Sequence, residues 1–188
     1  VSQGIHQVCK DVADFISRRD GYPCDPREVF LSNGASQSVQ NMLMVLSGHP
    51  DDGFLIPVPQ YPLYSATTTL YGANLVGYYL DEEHRWGLDL KELERCVEYA
   101  KEHNIHLKGM VVINPGNPTG KVLTKEEMDL IVDIVVKNDL YLICDEVYRE
   151  FVYDGKEMSS FGTYKEAEQN VIIVDSVSCL LYTSDAAD

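Results

Sequence analysis

The sequence is poor in the features that mark several common protein classes. Its five cysteines (Cys9, Cys24, Cys96, Cys144, Cys179) are odd in number and widely spaced, with no CxxC pair. That argues against a disulfide framework or a zinc site and for a reducing compartment. His103 and His106, in EHNIH, lack a third ligand nearby, so no metal is expected. Basic residues are scarce, 15 against 30 acidic, giving a net charge of −15. Such a chain has no electrostatic reason to bind nucleic acid or anionic membranes, and its acids read as a solvated surface. No apolar run reaches 18 residues, so no membrane-spanning helix is expected. Neither GxGxxG nor GxxxxGK[ST] occurs, which removes support for the nucleotide folds that use those loops.

What is present is a regular alternation of strand and helix patterns. The 188 residues are 45% hydrophobic, enough for one domain with a core. Apolar residues of 3–19 (Ile5, Val8, Cys9, Val12, Phe15, Ile16) recur at helical spacing. EVFLSNG reads as a short strand, ASQSVQNMLMVLSG as a helix stopped by Gly48 and Pro50, and GFLIPVP as a strand. YPLYSATTTLYG reads as a helix carrying β-branched threonines, and NLVGYYL as a strand. Two helices start at capping-box patterns, Asp89 with Glu92 and Thr124 with Glu127. GMVVIN, LYLICDE and NVIIVDS are apolar runs of the kind buried on both faces. The expected class is α/β, a mostly parallel sheet flanked by helices.

In such sheets ligands bind beyond the carboxyl ends of the strands. The segments there are SNGASQS, PVPQYPLY, INPGNPTG, DEVY and DSVS. In the first, Gly34 permits a turn into a helix whose free N–H groups at Ala35 and Ser36 suit a phosphate, though a plain serine-capped helix start fits too. Two prolines and two glycines force INPGNPTG into an irregular loop that can aim the Asn117 amide at a ligand. Asp145 ends a buried strand, where a carboxylate is costly unless it meets a cation. Tyr148 is close enough to face the same place. Tyr61 offers a flat face to an aromatic ligand, or is a core tyrosine.

Together these segments, in this order, resemble the large domain of fold-type I pyridoxal-phosphate aminotransferases of class I/II. RDGYP, PVPQYPLYSA and INPGNPTG are most similar to the alanine branch. The resemblance covers residues 1–178. It implies that Gly34, Ala35, Ser36 and Ser176 hold the phosphate of pyridoxal 5'-phosphate and that Tyr61 stacks on its ring. It implies that Asn117 and Tyr148 bond the phenolic oxygen and that Asp145 pairs with the pyridine nitrogen. It further implies amino-group transfer between L-alanine and 2-oxoglutarate, and a homodimer. The substrates would be a small amino acid and a 2-oxo acid.

The resemblance demands a Schiff-base lysine directly after S-x-S, Ser176 to Ser178, but Cys179 stands there. A thiol cannot form the required linkage, so no catalytic residue is assigned. Residues 179–188 depart from the family and read as a non-native tail. Residues 1–178 read as an incomplete cofactor-binding domain, with the family's small domain absent. The chain opens on Val1 within a helical pattern, so an N-terminal segment is expected upstream. A cytoplasmic location is expected, with a mitochondrial one open for that reason. Other branches of the class (aromatic, aspartate or broad-specificity), or a non-catalytic binding protein on the same fold, are the alternative readings.

Overall fold

A computed structural model describes residues 3–153, 155 and 157–178. Cys179 and the expected tail lie outside the described residues. Five strands form one parallel sheet in the order β2-β1-β3-β4-β5. They are β1 (Asp52–Val58), β2 (Asn74–Tyr79), β3 (His106–Ile113), β4 (Tyr141–Asp145) and β5 (Val171–Val174). The helices are α1 (His6–Asp20), α2 (Ala35–Leu46), α3 (Leu63–Leu70), α4 (Leu90–Glu102) and α5 (Lys125–Lys137).

Side chains alternate across the pleat, so each apolar strand feeds two cores. Leu55, Met110, Val112, Leu142 and Cys144 pack with Leu93, Cys96, Met128 and Ile131 of α4 and α5. Phe54, Ile56, Val111 and Ile143 pack on the other face with Val39 and Leu43 of α2 and Tyr64 of α3. The chain moves from β1 out to β2, then returns to place β3 on the other flank of β1. The strand order thus reverses at β1/β3, the position where open α/β sheets form a ligand crevice.

Local chemistry explains where the elements begin. The expected capping box of α5 is made: Thr124 Oγ1 accepts from Glu127 N at 3.2 Å, and Glu127 Oε2 accepts from Thr124 N at 2.8 Å. The one expected at α4 is half made. Asp89 caps by accepting from Lys91 N, but Glu92 turns to β2 and accepts from Tyr79 N at 2.9 Å while pairing with Arg95. An unpaired N–H on the outer edge of β2 competed successfully for that carboxylate. EVFLSNG is not a sheet strand. Asp25 caps a 3-10 turn over Pro26–Glu28, and Val29 packs on Cys9 and Ala13 of α1 in a small separate cluster. Leu31 N donates to Gln3 O, so this segment spends its backbone bonds on the N-terminal stretch.

Candidate functional site

The carboxyl ends of the strands open on a cavity of about 270 Å³. That is close to the lower bound for small-molecule sites, about 300 Å³. Gly34, Ala35, Ser36, Tyr61, Asn117, Asp145, Tyr148 and Ser176 all line it, so the structure brings together every residue singled out from the sequence. They reach the cavity from five connections: the start of α2, the β1–α3 turn, the loop after β3, and the ends of β4 and β5.

The start of α2 is held open by Gly34, whose φ of 82° lies in the left-handed region. A Cβ there would touch nothing within 4 Å, so backbone conformation rather than space calls for glycine. No side chain caps this helix. Gln37 N and Ser38 N turn back to Gly34 O at 3.2 and 3.5 Å, which leaves the N–H groups of Ala35 and Ser36 at the positive end of the helix dipole. Ser176 also lines the cavity, and its Oγ lies 2.6 Å from Ser178 Oγ and accepts from Ser178 N at 3.3 Å. The hydroxyls of Ser36, Ser176 and Ser178 and the amides at the start of α2, all on the cavity lining, suit an anion.

Asp145 is only 6% exposed. Its Oδ2 accepts from the Tyr64 hydroxyl at 2.6 Å and its Oδ1 from Val147 N at 3.3 Å. Desolvation outweighs both bonds and raises the carboxyl above its ordinary range. Burial, and next the Asp145 charge, push the Tyr64 phenol well above its own. The carboxylate faces the cavity without a cationic partner among the described residues, so a protonated ring nitrogen fits it. Asn117 Nδ2 donates to the Tyr148 hydroxyl at 3.3 Å, leaving the Tyr148 proton for another acceptor. Tyr61 is 42% exposed and lines the cavity, so its ring is open to a flat ligand there.

Tyr64 went unrecognised in the sequence. The signal was there: it follows Tyr61 by three residues on a short helix, and a buried phenol needs a partner. Also unrecognised was the chemistry behind the cavity. Glu146, fully buried, accepts from Phe161 N, Ser160 Oγ and Arg149 Nη1, each at 3.1 Å. Arg149 Nη2 donates to Asp20 at 2.6 Å. Arg19 grips Asp20 with two nitrogens and reaches Asp175 at 2.7 Å. Burial pushes Glu146 up to about 7 despite these donors. A second hollow of about 30 Å³, mostly apolar, lies beside Asn117 near Trp86 and Leu88 and is too small for a cofactor.

No helix among the described residues is long and apolar enough to cross a membrane. Among the same residues no group of three His, Cys, Asp or Glu is placed to hold a metal.

The start of α2, an exposed ring and a buried acid thus line one cavity at the carboxyl end of a parallel α/β sheet, where such folds bind ligands. The sequence model of aminotransferase class I and II matches residues 2–179, and the chain belongs to that family. It is 46% identical over 170 residues to a probable mitochondrial alanine aminotransferase of Dictyostelium discoideum, covering 90% of this chain and 32% of that protein. It is 48% identical over 155 residues to glutamate–glyoxylate aminotransferase 1 of Arabidopsis thaliana, covering 82% and 32%. The solved structure of an aromatic aminotransferase from Pyrococcus horikoshii superposes with a TM-score of 0.86 at 29% identity. That match covers 98% of this chain and 48% of the other. The chain spans about a third of the length of the curated relatives it matches. Enzymes of this family use pyridoxal 5'-phosphate and act on an amino acid and a 2-oxo acid.

Proposed function

We propose that residues 1–178 are the cofactor-holding part of a pyridoxal-phosphate aminotransferase whose whole form moves an amino group between L-alanine and 2-oxoglutarate. The observation that carries the cofactor reading is Asp145, a buried carboxylate with no cationic partner among the described residues, lining the same cavity as the start of α2 and Ser176. When bound, the cofactor supplies an electron sink for the bonds at the substrate α-carbon.

The residues divide the work by chemistry. The N–H groups of Ala35 and Ser36, freed by the turn at Gly34, would hold the phosphate together with the Ser36 and Ser176 hydroxyls. Tyr61 would cover one ring face and exclude water from it. Asp145 would keep the ring nitrogen protonated, and Tyr64 would hold Asp145 in place by its 2.6 Å bond. Asn117 and Tyr148 would both donate to the phenolic oxygen. The proton removed from the substrate needs a base beside it, and the lysine that the family pattern places after Ser178 is replaced by Cys179 in this sequence. The 188-residue chain is therefore expected to bind cofactor without turning over substrate.

Alanine as donor is supported by the 46% identity to the Dictyostelium discoideum protein. A second reading, with glyoxylate as the amino acceptor, is favoured by the 48% identity to the Arabidopsis thaliana enzyme. A homodimer in the cytoplasm or mitochondrion fits either. The test is an assay of a longer form carrying lysine after Ser178, with alanine and either 2-oxoglutarate or glyoxylate. Faster glutamate than glycine formation supports the first reading, and the reverse supports the second. Transfer with neither acceptor contradicts both.

A further inference from the structure

The ion-pair cluster adjoins the cavity lining at the end of β4, through Glu146 and Arg149, and at the end of β5, through Asp175. Asp175 precedes Ser176, and its Oδ1 accepts from Ser176 N at 2.7 Å. An acid so placed threatens an anion site, because its charge acts on whatever binds next door. It acts on Asp145 already, in the direction that disfavours ionisation. Its only ion pair among the described residues is with Arg19, at 2.7 Å. Arg19 belongs to α1, which lies outside the sheet and contributes nothing to the cavity lining.

Arg19 is itself fixed. It binds Asp20 through two nitrogens, and Asp20 receives Arg149 at 2.6 Å. Arg149 in turn is anchored on the buried Glu146 at the end of β4. The three acids thus share two guanidiniums, and the chain of contacts runs from β4 through α1 to the end of β5. The pair is only partly exposed, with side chains 16% and 21% accessible, so water does not screen it away.

We propose that Arg19 is a positioning residue for the anion end of the cavity: it neutralises Asp175 and ties the turn at Ser176 to the β4 cluster, so that a phosphate can sit against Ser176. This rests on the pyridoxal-phosphate reading above. It assigns to a helix outside the site a role in accepting the phosphate specifically, not in holding the ring.

The test is binding of pyridoxal 5'-phosphate and of unphosphorylated pyridoxal to the 188-residue chain, with amide exchange measured on the ligand-free protein. Arg19→Gln should weaken the phosphorylated ligand on the order of tenfold and pyridoxal by less than about twofold. Adding Asp175→Asn to that variant should restore most of the loss, since the unpaired charge is gone. Exchange at residues 174–178 should quicken in Arg19→Gln while β1 and β3 stay protected. Equal losses for both ligands, or no rescue by Asp175→Asn, would overturn the proposal. If Arg19→Gln loosens the whole sheet, Asp175→Asn alone decides: it must bind the phosphorylated ligand at least as well as the unmodified chain, and weaker binding refutes the idea. Failure of the unmodified chain to bind either ligand sinks the cofactor reading instead. Exchange at 174–178 then still decides whether Arg19 positions that turn.

Discussion

Asp145 and Glu146 are neighbours in sequence, both acidic and both buried, yet they serve opposite sides of the end of β4. Asp145 faces the cavity and has only a neutral phenol and a distant amide as donors. Glu146 faces away from it and has a guanidinium, a hydroxyl and an amide. Strand alternation separates them; the partners decide what each is for. The satisfied acid stabilises the fold around it. Asp145 has no cationic partner among the described residues, and on the proposed reading its burial is a cost that the fold carries for the sake of a ligand.

That contrast can be broken by substitution. The largest effect is expected for Glu146→Ala, which leaves Arg149 with Asp20 alone and removes the acceptor of the Phe161 N–H and the Ser160 hydroxyl inside the protein. A loss of about 3 kcal/mol is expected from chemical denaturation, with cofactor affinity falling only as folding does. Asp145→Asn should do the reverse. The amide can still accept from Tyr64, so stability should hold or rise, while cofactor affinity falls on the order of a hundredfold in a binding titration. Equal effects of the two substitutions on stability would erase the distinction. Tyr64→Phe should sit between them, costing about 1.5 kcal/mol of stability and some affinity, because Asp145 loses its shortest donor.

A pH series sharpens the same comparison. The Glu146 carboxyl is raised from 4.5 to about 7 in the folded chain, chiefly by burial. Folding therefore favours its protonated form. Its contribution is fully present below pH 4.5 and is lost as pH rises through about 7. Melting curves of the unmodified chain and Glu146→Gln, recorded from pH 4.5 to 8, should show the unmodified chain losing ground steadily to the variant up to about pH 7 and no further. The smallest expected effect is remote from both acids. Thr124→Ala removes the α5 cap and should cost about 1 kcal/mol with no change in binding.

The strands, the helices and the residues at the strand ends were legible because each rests on local pattern: apolar runs, helical spacing, Gly34 in its turn, Asn117 between prolines. What was not legible depends on contacts far apart in sequence. The phenol of Tyr64 meets Asp145 across 81 residues, and Arg19 meets Asp175 across 156. Nothing in RRDGYP says where its charges end up until the sheet is assembled. EVFLSNG was misread for a related reason. Its apolar residues match a strand, but Asp25 and Pro26 start a turn that turns Val29 toward α1. At α4 the sequence rule was sound and a competitor won, since Glu92 found the edge N–H of Tyr79.

The most direct measurement is a titration of the folded 188-residue chain with pyridoxal 5'-phosphate, followed by the fluorescence of its single tryptophan, Trp86. Trp86 lines the hollow beside Asn117, so it is placed to report on the cavity. Saturable binding of one ligand per chain, weakened by Tyr61→Ala and by Asp145→Asn, is the predicted result. A folded chain that shows no saturable binding, or that binds equally well after both substitutions, would contradict the assignment of this cavity to the cofactor.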